Sequence, residues 1–100
     1  MITITAILRA RPGAEAAMQQ ALLDVAANVA ANEPGTLGFF VSRKRDDPTV
    51  FTTYERFTDQ ASMDGHNNSA AVARCFEIMR PILAADVVLE TCEEISAKTA

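Results

Sequence analysis

His66 is the only histidine in a chain of 100 residues. Histidine is the side chain whose ordinary pKa, about 6.5, lets it exchange protons near neutrality, so His66 is the best general base available. Its partner follows from strand geometry. Alternation places Phe51, Thr53, Glu55 and Phe57 on one face of the segment 50–57, and Val50, Thr52, Tyr54 and Arg56 on the other. If the Glu55 face looks toward the helices, a chain that reverses through Thr58-Asp59 and climbs about two helical turns brings His66 over Glu55. A carboxylate on one ring nitrogen would fix the tautomer and favour the imidazolium, leaving the second nitrogen to take a proton from a bound molecule. That chemistry needs a base, an apolar cavity that excludes water, and a dipole or cation beside the developing charge. Asn67, Thr53 and Arg56 are candidates for the last role, Arg56 being the weakest because alternation sends it to the face opposite Glu55. Other roles stay open: His66 as a cap or loop hydrogen-bonding group, and Glu55 as the partner of an arginine across a dimer.

Other chemistries lack their residues. Gly13, Gly35, Gly38 and Gly65 are scattered and form no phosphate-binding loop. No nucleophile elbow marks a hydrolase. Cys75 and Cys92 stand without a CxxC pair or companion histidines, so no metal site and no disulfide framework is expected. Nine Lys and Arg against thirteen Asp and Glu leave a net charge of −4, the wrong sign for nucleic acid or an anionic membrane. No apolar run approaches the roughly 20 residues of a membrane span. Alternation from Met1 onward leaves no room for a signal peptide, which implies a cytoplasmic protein.

The elements that must position these residues are punctuated by Pro12, Pro34, Pro48 and Pro81. Ile2, Ile4, Ala6 and Leu8 recur with period two, a strand over roughly 2–10. Met18, Leu22, Val25 and Val29 recur at helical spacing and are stopped by Asn32-Glu33-Pro34-Gly35. From Leu37 the period returns to two, and the polar turn 43–48 joins this strand to the β-branched and aromatic run 50–57 as a hairpin. Asp59 caps a helix, 65–69 interrupts it, and Ser69 caps a second piece that ends at Arg80-Pro81. Residues 86–95 read as the last strand, and 98–100 as a frayed tail.

The order βαββαβ over one domain, residues 1–100, is the α+β ferredoxin-like arrangement: a four-stranded antiparallel sheet with both helices on one face. Roughly 500 Å² of sheet is then left bare on the other face. Five of the six aromatics, Phe39, Phe40, Phe51, Tyr54 and Phe57, lie in the hairpin, so both of its faces read as apolar. A homodimer packed sheet to sheet is the simplest cover for such a patch.

The series Glu33-Pro34-Gly35-Thr36-Leu37-Gly38-Phe39, Asp47-Pro48-Thr49-Val50-Phe51, Tyr54-Glu55-Arg56-Phe57 and Met63-Asp64-Gly65-His66 resembles the antibiotic biosynthesis monooxygenase family, especially its quinol monooxygenase-like members. The shared pattern is a Pro-Gly turn into the second strand, a Glu-Arg-aromatic end to the third, and a helix leading to a histidine. The resemblance runs along nearly the whole chain. It implies a dimeric α/β barrel and oxygenation of an electron-rich aromatic, such as a quinol or anthrone, by dioxygen without metal, flavin or haem. Many members carry Trp where this chain has Phe57, and the chain has no Trp at all. That departure speaks against a tryptophan-dependent mechanism, and, with no Asn in the first strand, against the haem-degrading relatives.

The resulting expectation is a cofactor-independent monooxygenase with His66 as base and Glu55 orienting it. Phe39, Phe51, Thr53, Phe57, Met63 and Asn67 are the candidate substrate contacts. Two other readings use the same cavity: an isomerase or proton-transfer enzyme on a small carbonyl metabolite, and a non-catalytic dimer that binds a small apolar ligand.

Overall fold

The computed structural model describes residues 1–100. The chain runs β1 (Ile2–Arg9), α1 (Glu15–Asn32), β2 (Thr36–Arg43), β3 (Val50–Phe57), α2 (Gln60–Asn67), α3 (Ala70–Met79), a 3-10 turn (Arg80–Ile82) and β4 (Val88–Glu93). The strands form one antiparallel sheet in the order β2-β3-β1-β4, the ferredoxin-like arrangement. Register sets Phe39, Glu55 and Ile4 side by side across three strands, with Val41, Thr53 and Ala6 in the next row. Both rows lie on the face that α1 and α3 cover. The main core closes there, with Leu8 and Phe51 from the sheet, Met18 and Leu22 from α1, and Cys75 and Met79 from α3. Burying each of the large apolar side chains contributes about 1.5–3 kcal/mol. A smaller cluster of Ile4, Phe57 and Met63 sits beneath α2.

Both expected caps form. Asp59 Oδ1 accepts from the Ser62 amide at 2.8 Å and Ser69 Oγ accepts from the Val72 amide at 3.2 Å. The helix break falls within residues 65–69, at the C-terminal end of that stretch. Helix α2 carries on through Gly65 and His66 to Asn67 and gives way only at Asn68-Ser69. A glycine inside a helix costs only about 1 kcal/mol, which the burial of Met63 and His66 on the same helix outweighs.

The bare face is more polar than the aromatic count implied. Phe39, Phe51 and Phe57 turn inward, so Phe40 and Tyr54, at 57% and 40% exposure, are the aromatics on the outside. They share one row, ring centroids 6.2 Å apart, beside Thr5 and Glu90. Arg56 also lies on this face and makes a two-pronged bond to Glu94, Nε to Oε1 at 2.8 Å and Nη2 to Oε2 at 3.0 Å. It is therefore committed to a surface ion pair across the sheet from His66, which removes it as a stabiliser of charge there. Strand β4 is an edge and is exposed throughout. No helix is long and apolar enough to cross a membrane.

Candidate active site

His66 sits in the last turn of α2, only 4% exposed. Its ring packs against Phe39 and Phe57, with centroid distances of 5.5 and 5.4 Å and tilts of 50°. Glu55 comes up from β3 as alternation requires, and its Oε1 lies 3.2 Å from His66 Nε2. Thr53, two residues back on the same strand face, donates its hydroxyl to Glu55 Oε2 at 2.8 Å.

The other ring nitrogen meets a residue that the sequence marked as part of a helix stop and of the Pro-Gly turn, with no role at the site. Glu33, just past the end of α1, places Oε1 2.7 Å from His66 Nδ1. Thr36 donates to the same oxygen at 2.8 Å, and Asn28 donates to Glu33 Oε2 at 2.9 Å. Asn28 is itself held by Asn32 at 2.8 Å. A sequence clue existed: Asn28 and Asn32 are one helical turn apart and deliver amides to the end where the carboxylate stands. No buried side-chain nitrogen or oxygen in the protein lacks a partner.

Gly35 fixes the spacing between these two segments. A Cβ there would meet Ser62 Oγ and lie 2.8 Å from Ser62 Cβ, so the missing side chain lets the α1–β2 corner lie against α2. The Thr58 amide donates to Gly35 O at 3.0 Å, and Thr58 Oγ1 and Ser62 Oγ are 2.9 Å apart. The corner that carries Glu33 is thereby tied to the start of the helix that carries His66.

Burial alone would pull the His66 pKa down. The hydrogen bonds and charges of Glu55 and Glu33 outweigh it, so the ring's pKa lies above its ordinary 6.5. The carboxylates lie on opposite edges of the ring, so the three groups do not converge as a metal-binding set. With the imidazole neutral and Nδ1–H given to Glu33, Nε2 and Glu55 Oε1 would be two acceptors face to face. At 3.2 Å only a proton fits between them, so either the ring is protonated or an arriving donor parts the two.

An apolar cavity of about 60 Å³ opens beside this pair, with Glu55, His66, Thr53 and Asn67 at one end and Leu22, Val25, Phe76 and Met79 among its walls. That is far below the roughly 300 Å³ or more of sites that take a ring-sized ligand. A larger ligand must therefore widen it. Val87, just before β4, and Leu89 of β4 form the wall nearest the sheet edge, Leu89 being 50% exposed. Of the expected substrate contacts, Phe39, Thr53 and Asn67 border the cavity. Phe51 is packed in the main core, while Phe57 and Met63 lie in the cluster beneath α2. Phe57 touches the site only through the His66 ring.

The chain superposes on solved structures over nearly its full length. A candidate antibiotic biosynthesis monooxygenase from Caulobacter crescentus matches with a TM-score of 0.87 at 26% identity, covering 95% of this chain and 90% of the other. A Nitrosomonas europaea protein of unknown function matches with a TM-score of 0.83 at 27% identity, over 99% and 93%. A candidate antibiotic biosynthesis monooxygenase from Deinococcus radiodurans, at 21% identity, shares the fold with a TM-score of 0.86 over 100% and 98%. No curated protein matches the chain. The family model for antibiotic biosynthesis monooxygenases matches residues 1–78, which include every residue of the Glu33–His66–Glu55 arrangement. The chain belongs to the antibiotic biosynthesis monooxygenase family.

Proposed function

We propose that the protein is a cofactor-independent monooxygenase that oxidises a quinol-like or polycyclic aromatic molecule with dioxygen. The observation that carries this reading is the buried His66, held between carboxylates at one end of an apolar cavity. A substrate hydroxyl placed at Nε2 gives its proton to the imidazole. The electron pair stays on oxygen, and the imidazolium formed lies beside the new oxyanion. Water exclusion by the walls keeps that attraction strong.

Charge narrows the substrate. Glu55 and His66 are the only ionisable side chains of the polar end of the cavity, and Glu33 stands behind the ring. A carboxylate or phosphate group buried there would find only the imidazolium, already shared by two carboxylates, to offset its desolvation. A neutral diol or phenol meets no such penalty, and its hydroxyl supplies the donor that Nε2 and Glu55 share. This favours the quinol reading over a phosphorylated or carboxylated carbonyl metabolite.

An oxygen electrode tests the reading. Purified protein is expected to consume oxygen with a neutral naphthalene diol, without added metal or flavin, and to do so at least tenfold more slowly with the matching carboxylated diol. Turnover under argon would instead assign proton transfer without oxygenation. Ligand binding with no turnover across a broad panel of phenols would reduce the protein to a binding module.

The working unit in this proposal is a homodimer joined through the outer sheet face, where Phe40 and Tyr54 stand exposed. Light scattering on a size-exclusion column should give twice the chain mass of 10.8 kDa at micromolar concentration. Tyr54→Lys or Phe40→Lys should shift the peak toward monomer, and a stable monomer of the unmodified protein would contradict the assembly.

A further inference from the structure

We propose that Glu33, rather than Glu55, is the positioning residue of this site: it holds His66 Nδ1–H and so makes Nε2 the nitrogen that receives the substrate proton. The proposal rests on the reading of His66 as the base and reassigns the two carboxylates around it.

Three observations separate them. The contact to Glu33 is the shorter, 2.7 Å against 3.2 Å, as expected for the stronger charge-assisted bond. Glu33 is also the more firmly held, with Thr36 and Asn28 each donating to it and Asn32 holding Asn28 in turn. Glu55 has Thr53 as its only other side-chain donor. Finally, Glu55 borders the cavity with His66, whereas Glu33 is not among the residues lining it. An arriving hydroxyl can therefore replace the Nε2–Glu55 contact without disturbing the Nδ1–Glu33 bond. The step then balances simply: the O–H bond breaks, an Nε2–H bond forms, and the oxygen keeps the electron pair. The new Nε2–H points at the oxyanion, and Glu55 beside it offsets the charge of the imidazolium.

The backbone supports the assignment. Glu33 directly precedes Pro34-Gly35, and the close approach of Gly35 to Ser62 couples this corner to α2. Moving His66 away from Glu33 would require separating two segments joined by the Thr58–Gly35 bond.

The test compares Glu33→Gln, Glu55→Gln and Thr36→Val in the full chain by two readouts. The first is the ¹⁵N and ¹H NMR of the His66 ring in the resting protein, which needs no turnover. The unmodified protein should show a slowly exchanging, far-downfield Nδ1–H resonance. Glu33→Gln should abolish or shift it, Thr36→Val should weaken it, and Glu55→Gln should leave it in place. The second readout is the pH profile of oxygen consumption. Removing the Glu33 charge should shift the acid limb to lower pH and reduce kcat by on the order of 10²-fold, as expected when an essential base loses its orientation. If Glu33→Gln fails to fold, Thr36→Val carries the comparison, since it removes one anchor of Glu33 and keeps the side-chain shape. An Nδ1–H resonance unchanged in Glu33→Gln, or in Thr36→Val where it stands in, would overturn the proposal. So would its loss in Glu55→Gln alone. If the resonances behave as stated while no variant, nor the unmodified protein, consumes oxygen with any quinol, the positioning role stands and the monooxygenase reading fails.

Discussion

His66→Ala is expected to lower kcat/KM for quinol oxidation by about 10²–10⁴-fold, the range that a positioned general base supplies. The ring is buried against Phe39 and Phe57 with a carboxylate at each nitrogen, and it is the only histidine. The unmodified enzyme should gain activity with rising pH, because only the neutral imidazole accepts a proton and its pKa is raised above 6.5. That acid limb should vanish in the variant. Stability should move in the opposite direction. The raised pKa in the folded state means that the imidazolium favours folding below about pH 6.5, and that this contribution is lost as pH climbs through the raised value. Urea titrations at several pH values should show this slope in the unmodified protein and not in His66→Ala. An unchanged rate in the variant would remove His66 from the chemistry.

Phe57→Ala should cost about 3–5 kcal/mol of folding stability, the usual range for emptying a fully buried aromatic site. Phe57 is 0% exposed and packs with Ile4 and Met63 beneath α2. Domains of this kind hold only about 5–15 kcal/mol in all, so the loss is a large fraction of the total. At about 4–8 °C per kcal/mol for a domain of this size, Tm should fall by more than about 10 °C. Phe57→Leu, which keeps much of the volume, should lose less than half as much. Calorimetry of the two variants checks the pair, and a Phe57→Ala loss below about 1 kcal/mol would mean that the site collapses freely. The position also bears on function, because the Phe57 ring is one of the two that pack against His66.

Much of this was legible because the relevant patterns are local. Period-two alternation in 50–57 placed Glu55 and Thr53 together on the inner face and Arg56 on the outer one, and the register agrees. Asp59 and Ser69 marked the helix starts by their capping chemistry. Glu33 was missed because its role is non-local: it lies 33 residues from His66, at the end of another helix, where a carboxylate before Pro-Gly reads as a stop. The helix break lies within 65–69, confined to Asn68-Ser69 because the burial of Met63 and His66 keeps Gly65 helical. The aromatic content of the hairpin overstated the exposed patch, since Phe39, Phe51 and Phe57 all turn toward the helices. Nor does cavity volume follow from residue types. The lining is apolar as expected, but a volume of about 60 Å³ makes admission of a ring depend on the β4 edge giving way.

The account depends on the enclosed imidazole taking a proton from a bound hydroxyl, and absorbance spectroscopy under argon isolates that event from oxygenation. A naphthalene diol bound to the unmodified protein near neutral pH is predicted to show the red-shifted band of its anion, and the same diol bound to His66→Ala to keep its neutral spectrum. A diol that binds the unmodified protein and stays neutral there, at a pH where His66 is itself unprotonated, would contradict the claim.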